Sequence, residues 1–327
     1  MTPPDLATLD EAVASIPDVR AAIATLCAAI PRGRLATFGD LAAALGNRRA
    51  ALGVTNAIAT DQPPGGHRVI SQTGRVGTPA FAALLSEESV PVSDDGVPTG
   101  ESANRRHEPT PLDDPPFVRM KALADDWATR TTCRELFKFQ NSQDILIGGL
   151  DVSYPSPFHA VAAAVVMRLT AAGIEPVSEA TAAIDIAVPY VAGYLAFREL
   201  PAYAAVLKKV EPHPAVWLVD GNGRLHPRRA GVATLLGNLI NVPTVGVAKN
   251  LLCGTAGDDG LIRDGDEVLG AILDEENGGP RKKLYISPGS RIACGHATAV
   301  SAACRFGHRL PEPVYRADRI SRSGPDS

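Results

Sequence analysis

The spacing of hydrophobic positions divides the chain into two parts. Between residues 17 and 61, apolar residues recur at helical intervals and are separated by short polar turns. From about residue 145, short apolar runs rich in β-branched residues alternate with longer amphipathic segments. This pattern predicts a small, mainly helical domain followed by an α/β domain with a mixed sheet flanked by helices.

The α/β domain is predicted to begin with three hairpin-joined strands and to continue with alternating helices and strands. The strands lie at 145–154, 158–169 and 173–186, followed by a helix at 195–210, a strand at 215–221, a helix at 226–240 and a strand at 243–249. A ribonuclease H-like arrangement is the best match to this order.

A change in composition predicts the domain boundaries. Residues 86–117 are rich in proline, serine, glycine and acidic residues, and they lack periodic apolar positions. Such a composition predicts an exposed, flexible linker. We therefore expect a winged-helix-like domain at 1–85, a linker at 86–117 and the α/β domain at 118–327.

The small domain has the sequence pattern of a helix-turn-helix. Thr37, three residues before Asp40, predicts a capping box at the start of a short helix. Asn47 is suited to cap a second helix that carries Arg48 and Arg49 in its first turn. Because a recognition helix contacts DNA near its start, these arginines are predicted to contact DNA.

Composition and charge narrow the classes of function. The chain of 327 residues is long enough for two domains, and its net charge of −4 conceals a basic stretch at 20–75 that precedes an acidic one. This segregation indicates a nucleic-acid contact in the small domain. We expect no membrane partner and a cytoplasmic protein, because no apolar run approaches about 18 residues and no signal pattern is visible. The five cysteines form no CxxC pair, which argues against a zinc site.

Three acidic residues are candidate metal ligands. Asp151 and Asp220 end apolar strands, and Glu199 lies near the start of a helix. If the fold brings them together, their repulsion requires a cation, and oxygen ligands select Mg²⁺, with Mn²⁺ as a substitute. Such a metal is suited to hydrolysis of a phosphodiester, and Gly221 and Gly223 would give the phosphate backbone room. For each acid alone, the alternative is a helix cap or a solvated strand end.

Six motifs in the α/β domain resemble those of the endonuclease V family. In chain order they are GLDVSY, PYVAGYLAFRELP, VDGNGRLHPRRAGVA, VPTVGVAKNLLCG, YISPGSRI and LPEPVYRADRI. The resemblance implies a ribonuclease H-like fold and a Mg²⁺-dependent enzyme that cuts the second phosphodiester bond 3′ to deoxyinosine. It implies damaged double- or single-stranded DNA as the partner, with inosine-containing RNA as the alternative, and we expect a monomer.

The same resemblance implies roles for individual residues. Asp151, Glu199 and Asp220 would hold the metal, His226 would lie beside the scissile phosphate, and Lys249 would face the substrate. The PYVAG loop, residues 189–193, corresponds to a wedge that enters the duplex where the lesion is extruded. The predicted DNA contacts of this domain are Pro189, Tyr190, Val191, Ala192, Arg198, Arg228 and Arg229. For Arg228 and Arg229, we expect phosphate contact or ion pairing to the acids, and the alternative is surface arginines with no partner.

The small domain resembles the DNA-binding domain of alkylguanine-DNA alkyltransferases and alkyltransferase-like proteins. IPRGRLATFGDLAAALGNRRA and PGGHRVISQTGRVG carry the resemblance, over about 17–80. Gly66 stands where that family has its nucleophilic cysteine, so alkyl transfer is excluded at this position. Leu52 stands where the family inserts an arginine into the base stack. The resemblance implies a non-catalytic DNA-binding module whose contacts are Arg48, Arg49, His67 and Arg68, and the alternative is a scaffold that only packs on its neighbour.

Two classes of function stay open on the sequence. The first is an inosine-directed endonuclease fused to a non-catalytic DNA-binding module. The second is a protein without catalysis that binds lesions and marks them for repair. A preference for RNA is a variant of the first class, because recognition of the 2′-hydroxyl has no motif here.

Overall fold

The computed structural model describes residues 3–99, 106–130, 137–140, 144–274 and 283–324. The chain forms two compact units. The sheet unit contains Met1–Ser15, Leu123–Asp185 and Glu199–Ser327, and the helical unit contains Ile16–Ala122 and Ile186–Arg198. The helical unit therefore includes Ile186–Arg198, which belongs to the predicted α/β domain. The predicted division into 1–85, 86–117 and 118–327 stays a prediction.

The elements that precede the large sheet are mostly short helices. They are α1 Leu6–Ala14, α2 Val19–Ala29, β1 Ala36–Thr37, α3 Phe38–Ala44, α4 Ala51–Asp61, β2 Val69–Ile70, α5 Pro79–Glu87 and α6 Pro116–Thr129. One-turn 3₁₀ helices at Arg48–Ala50 and Gly66–Arg68 complete this part of the chain. Strands β1 and β2 pair in parallel.

The cap predicted for α3 is present, and the cap predicted for the second helix belongs to the 3₁₀ turn that precedes α4. The backbone N–H of Asp40 donates to Thr37 Oγ1 at 3.1 Å, and the N–H of Thr37 donates to Asp40 Oδ2 at 3.0 Å, which completes a capping box. Asn47 Oδ1 accepts from the N–H of Arg49 at 3.1 Å and caps the 3₁₀ turn that leads into α4. The two helices are therefore joined by the tight turn that the sequence predicts.

The described parts of the predicted linker are anchored, in contrast to the flexible segment that we expected. Val90 is fully buried in a cluster with Leu35 and Leu85. Further along, the N–H of His107 donates to the carbonyl of Leu35 at 2.7 Å. A buried apolar side chain and backbone hydrogen bonds are enough to hold a segment whose overall composition is polar. Residues 100–105 of the predicted linker lie outside the described chain.

One stretch has the length and hydropathy of a membrane-crossing helix, contrary to our expectation that no stretch would. Leu6–Ala29 has the length, 24 residues, and the mean hydropathy, 1.4, of a membrane-crossing helix. In the structure this stretch is two helices, α1 and α2, with Pro17 between them. Core helices of soluble proteins meet the same criterion, so this composition alone does not indicate a membrane span.

The sheet unit is built on a nine-stranded mixed sheet within the described residues. Its strands are β3 Ile145–Ser156, β4 His159–Thr170, β5 Gly173–Asp185, β6 Val216–Asp220, β7 Thr244–Ala248, β8 Thr255–Ala256, β9 Leu261–Asp264, β10 Glu267–Leu273 and β11 Leu284–Ser290. Their spatial order is β5-β4-β3-β6-β7-β11-β10-β9-β8. The β3–β4–β5 hairpins are antiparallel, β3, β6 and β7 run parallel, and the remaining pairs are antiparallel. The predicted hairpins followed by helix–strand alternation are thus present.

Helices pack against this sheet and cover its hydrophobic core. They are α7 Ala196–Leu207, α8 Val232–Ile240, α9 Cys294–Ala303 and α10 Glu312–Ser323. Helix α8 begins six residues later than the helix predicted at 226–240, because Gly231 is its N-cap and residues 226–231 form a turn. Trp217 of β6 is buried in the core, as predicted.

Candidate active site

Strands β3 and β6 bring two of the predicted metal ligands side by side. The last parallel pair between the strands is Leu150 with Val219, and Asp151 and Asp220 are the next residues on each strand. Asp220 ends β6, as predicted. Asp151 does not end β3, because pairing with β4 continues through Asp151 and Ala163 toward Ser156. The two carboxylates therefore meet where the β3–β6 pairing stops.

A third carboxylate, from α10, completes the cluster. Ligand oxygens of Asp151, Asp220 and Asp318 all lie within 4.8 Å of one another. Helix α10 can lie close to β3 because Gly149 has no side chain, and an added Cβ there would overlap the carbonyl of Pro313. We did not predict Asp318 as a ligand, although its position carries a signal. It lies four residues after the buried Val314 and three before the buried Ser321, on the face of α10 that packs inward.

Glu199 lies close enough to this cluster for the cluster's charges to raise its pKa, and two tyrosines donate hydrogen bonds to its carboxylate. Tyr154 Oη donates to Glu199 Oε1 at 3.2 Å, and Tyr203 Oη donates to Glu199 Oε2 at 3.4 Å. Burial, and then the charges of Asp151 and Asp220, raise the pKa of Glu199 to about 8. Among the described residues, the three-carboxylate group contains Asp318 and not Glu199.

The electrostatics of the cluster fit a hard divalent cation. Burial, followed by the charge of Asp220, raises the pKa of Asp151 to about 7, although the Ser321 hydroxyl donates to Asp151 Oδ2 at 2.7 Å and acts in the opposite direction. Crowded carboxylates of this kind resist simultaneous ionisation unless a cation neutralises them. All candidate donors are oxygen atoms, which hard cations such as Mg²⁺ and Mn²⁺ prefer.

Lys249 borders the cluster, as its predicted role near the substrate requires. Its Nζ donates to Asp220 Oδ2 at 2.6 Å and lies 3.7 Å from Asp318 Oδ1. Burial lowers the pKa of Lys249, but the carboxylates outweigh burial and raise it overall. The ammonium is therefore charged at neutral pH.

His226 is buried and neutral. Burial, followed by the charges of Arg228 and Arg229, lowers its pKa to about 4. Its Nδ1 accepts the N–H of Arg228 at 3.2 Å, so the neutral ring carries its proton on Nε2. The turn of residues 226–231 therefore supplies a neutral hydrogen-bond donor.

Gly223, Arg228 and Arg229, around this turn, contact other parts of the protein. An added Cβ at Gly223 would overlap the carbonyl of Pro288 on β11. This glycine therefore makes room for a neighbouring strand, whereas we had expected it to make room for a phosphate backbone. Arg229 donates to Asp264 Oδ2 at 2.7 Å and to Glu267 Oε2 at 2.9 Å. Arg228 lies 3.8 Å from Asp125. Both arginines therefore lie beside acids other than the three predicted metal ligands, and their contact with phosphate stays a prediction.

The PYVAG loop has buried side chains at Pro189 and Val191 and exposed ones at Tyr190 and Ala192. Val191 is buried, and Arg198 Nη1 donates to the carbonyl of Val188 at 2.6 Å. Tyr190, in contrast, is 59% exposed. Arg198 is only 4% exposed and supports this loop. We had predicted a contact between Arg198 and DNA, but its side chain is buried.

Of the four DNA contacts predicted in the small domain, two arginines are exposed and the other two residues contact a carboxylate of the same unit. Arg48 and Arg49 are exposed at the start of α4. Arg68 Nη2 donates to Glu88 Oε1 at 2.6 Å, and His67 Nε2 lies 2.9 Å from the same oxygen. His67 and Arg68 are thus engaged inside the unit, and their predicted contact with DNA gains no support from this placement.

Comparison with known proteins identifies the sheet unit. The sequence model of endonuclease V matches residues 130–319. The chain belongs to the endonuclease V family. An endonuclease V from Streptomyces coelicolor is 40% identical over 182 residues, which cover 54% of this chain and 78% of that protein. The nuclease assignment is thereby confirmed.

Solved structures of the endonuclease V family confirm the ribonuclease H-like fold class. The crystal structure of endonuclease V from Streptomyces avermitilis aligns with a TM-score of 0.56 and 34% identity, over 63% of this chain and 91% of that one. Endonuclease V of Ciona intestinalis, in complex with a 24mer DNA containing an inosine followed by a ribo-adenosine, aligns with a TM-score of 0.51 and 28% identity, over 63% and 96%.

The other predicted resemblance is confirmed as well. The model of the 6-O-methylguanine DNA methyltransferase DNA-binding domain matches residues 18–90. The chain therefore joins an endonuclease V domain to a domain of this second type.

Proposed function

We propose that the protein is a Mg²⁺-dependent endonuclease that hydrolyses the second phosphodiester bond 3′ to deoxyinosine in DNA. The observation that supports it most directly is the convergence of Asp151, Asp220 and Asp318 within 4.8 Å. The DNA containing inosine that is bound to the Ciona relative supports this choice of substrate.

The carboxylate cluster, Lys249 and His226 would have separate roles. Asp151, Asp220 and Asp318 would hold the metal, which when bound polarises a phosphoryl oxygen and activates water. Lys249 keeps a positive charge at the edge of this acidic cluster, where it attracts the phosphate backbone. His226, with its proton on Nε2, would donate a hydrogen bond to a phosphate oxygen, the role that its motif implies.

The helical unit contributes DNA binding without catalysis. Gly66 cannot accept an alkyl group, and Cys27 is the only cysteine before residue 130. Burial raises the pKa of the Cys27 thiol to about 12, so this cysteine does not supply the missing nucleophile. Arg48 and Arg49 are exposed cations suited to phosphate contact.

A nicking assay on a deoxyinosine duplex, with and without Mg²⁺, tests the proposal. We expect Mg²⁺-dependent cleavage by the native protein and loss of cleavage in Asp220→Ala. Asp259→Ala is the matched control, because Asp259 is half-exposed and pairs with Arg263 on the β9 side of the sheet. Full activity of Asp220→Ala would refute the proposal.

Binding measurements beside the nicking assay separate the alternatives. Tight binding of the inosine duplex without cleavage in Mg²⁺ or Mn²⁺ would favour a non-catalytic lesion binder. Faster cleavage of a matched inosine RNA would favour an RNA-directed nuclease.

A further inference from the structure

Helix α4 and the PYVAG loop touch within the helical unit. An ideal Cβ built on Gly53 would lie 2.9 Å from the carbonyl oxygen of Tyr190 and 3.0 Å from Val191 Cγ2. A side chain at position 53 would therefore push the loop away. Glycine at this position lets the first turn of α4 pack directly on the backbone that carries Tyr190.

Two exposed apolar side chains border this contact. Leu52 directly precedes Gly53 and is 68% exposed, which is the highest value among the large hydrophobic side chains of the described chain. Tyr190, whose carbonyl faces Gly53, is 59% exposed. The unit thus exposes a helix leucine adjacent in sequence to Gly53 and a loop tyrosine whose carbonyl meets Gly53.

The surroundings of Leu52 are cationic. Arg48 and Arg49 are exposed one turn before Leu52, and Asn56 is exposed one turn after it. The sequence from residue 48 to residue 60 contains no acidic residue. An apolar protrusion with arginines on its border complements the base stack and the phosphates of nucleic acid, and it does not complement a basic or purely apolar protein surface.

The loop side of this surface is rigidly supported. The N–H of Arg20 donates to the carbonyl of Ala187 at 3.1 Å, and Arg20 Nη1 donates to the carbonyl of Ile186 at 3.2 Å. On the other side of the loop, Tyr194 Oη donates to the carbonyl of Phe117 at 3.3 Å. A surface held in this way loses little conformational entropy when it binds.

We propose that Leu52 and Tyr190 form one composite wedge that separates base pairs beside the lesion in duplex DNA. This inference rests on the proposed function, since it concerns how the inosine duplex is opened. Tyr190 stacks on an exposed base, and Leu52 fills the adjacent base step, while Arg48 and Arg49 contact the flanking phosphates. The helical unit then supplies part of the lesion-opening surface as well as affinity.

The full-length protein and a pair of substrates test the composite wedge. Cleavage rates of Leu52→Ala, Tyr190→Ala and the double variant are measured on a deoxyinosine duplex and on the same inosine strand without its complement. A wedge is needed only where bases are paired, so the ratio of duplex rate to single-strand rate should fall about tenfold in each single variant. Leu84→Ala is the matched control, because Leu84 is a 41% exposed leucine on α5 of the same unit.

The outcomes separate this inference from the proposed function. If the native protein does not cleave either inosine strand, the proposed function fails. If the native protein cleaves, Tyr190→Ala loses the duplex preference and Leu52→Ala behaves like Leu84→Ala, only the composite wedge is overturned. An equal loss on both substrates in Leu52→Ala would also overturn it, since that result indicates general binding. In support, fluorescence of a 2-aminopurine next to the inosine should rise less on binding to Leu52→Ala than on binding to the native protein.

Discussion

At the residue scale, buried carboxylates in this protein have opposite electrostatic surroundings. Glu88 is surrounded by donors: Arg68, the N–H of Gly33 and His67. Asp151 and Glu199 are surrounded by other carboxylates. The first arrangement stabilises the folded charge, whereas the second stores repulsion that a bound cation relieves. A site for metal is therefore recognisable from the partners of its acids and not from their burial alone.

Asp318 should prove as important for metal binding as the two strand aspartates. Asp318→Asn removes one of three converging oxygen ligands, so we expect a loss of cleavage on the order of 100-fold or more. Mn²⁺ titration should show weaker binding in Asp318→Asn than in Glu199→Gln, because Glu199 is held by Tyr154 and Tyr203. Asp259→Asn serves as the control, and the reverse order of affinities would contradict the three-aspartate assignment.

Glu88 should make folding stability depend on pH in acid. Burial raises its pKa, but the hydrogen bonds from Arg68, Gly33 and His67 together outweigh burial and lower it to about 2. A lowered pKa in the folded state means that this stabilisation is complete above the ordinary pKa of about 4.5 and is lost as the pH falls through about 2. Glu88→Gln should cost about 2–3 kcal/mol of unfolding free energy at pH 7.

Urea unfolding of the native protein and of Glu88→Gln, followed from pH 7 down to pH 2, measures this difference. The two curves should converge as the pH falls. Glu87→Gln is the neighbouring control, since Glu87 is exposed on the same helix. A difference that is constant with pH would rule out the ionic contribution.

At the element scale, the position of α10 determines whether the site exists. Strand β3 supplies Asp151, β6 supplies Asp220, and α10 supplies both Asp318 and the Ser321 hydroxyl that binds Asp151. The helix approaches the strand over Gly149. A shift of this one helix would separate the third carboxylate from the other two.

Gly149→Ala should therefore damage stability and cleavage together. The added methyl group overlaps the carbonyl of Pro313, and relieving this overlap requires backbone movement at a cost of about 1–3 kcal/mol. Gly295→Ala in α9 is the matched control, because an added Cβ there has no heavy atom within 4 Å among its described surroundings. Thermal unfolding and the nicking assay should both distinguish the variants, and an unchanged melting temperature in Gly149→Ala would show that the contact is not tight.

At the scale of the whole molecule, charge is distributed unevenly over a chain that is weakly acidic. The net charge is −4, yet the exposed start of α4 carries adjacent arginines. Attraction to DNA therefore depends on local patches and not on the overall charge. Several arginines of the sheet unit are neutralised by acids, as Arg229 is by Asp264 and Glu267.

The salt dependence of DNA binding should report this distribution. Replacing Arg48 and Arg49 with glutamine removes two phosphate contacts, so the slope of log K against log salt should become shallower by about 2. Arg130→Gln, which removes an arginine paired with Asp126, should leave the slope unchanged. Fluorescence anisotropy on an inosine duplex in Ca²⁺ gives both slopes, and an identical slope in the Arg48/Arg49 variant would contradict the assignment.

The sequence alone determined the features that depend on neighbours a few residues apart. The capping box of Thr37 and Asp40, the strand that delivers Asp220 and the buried position of Trp217 follow from local periodicity and turn chemistry. Only the tertiary structure decided which charges meet. Arg68 finds Glu88 and Asp318 joins Asp151, because electrostatic partners are selected by distance in space, and that distance depends on how helices and strands pack.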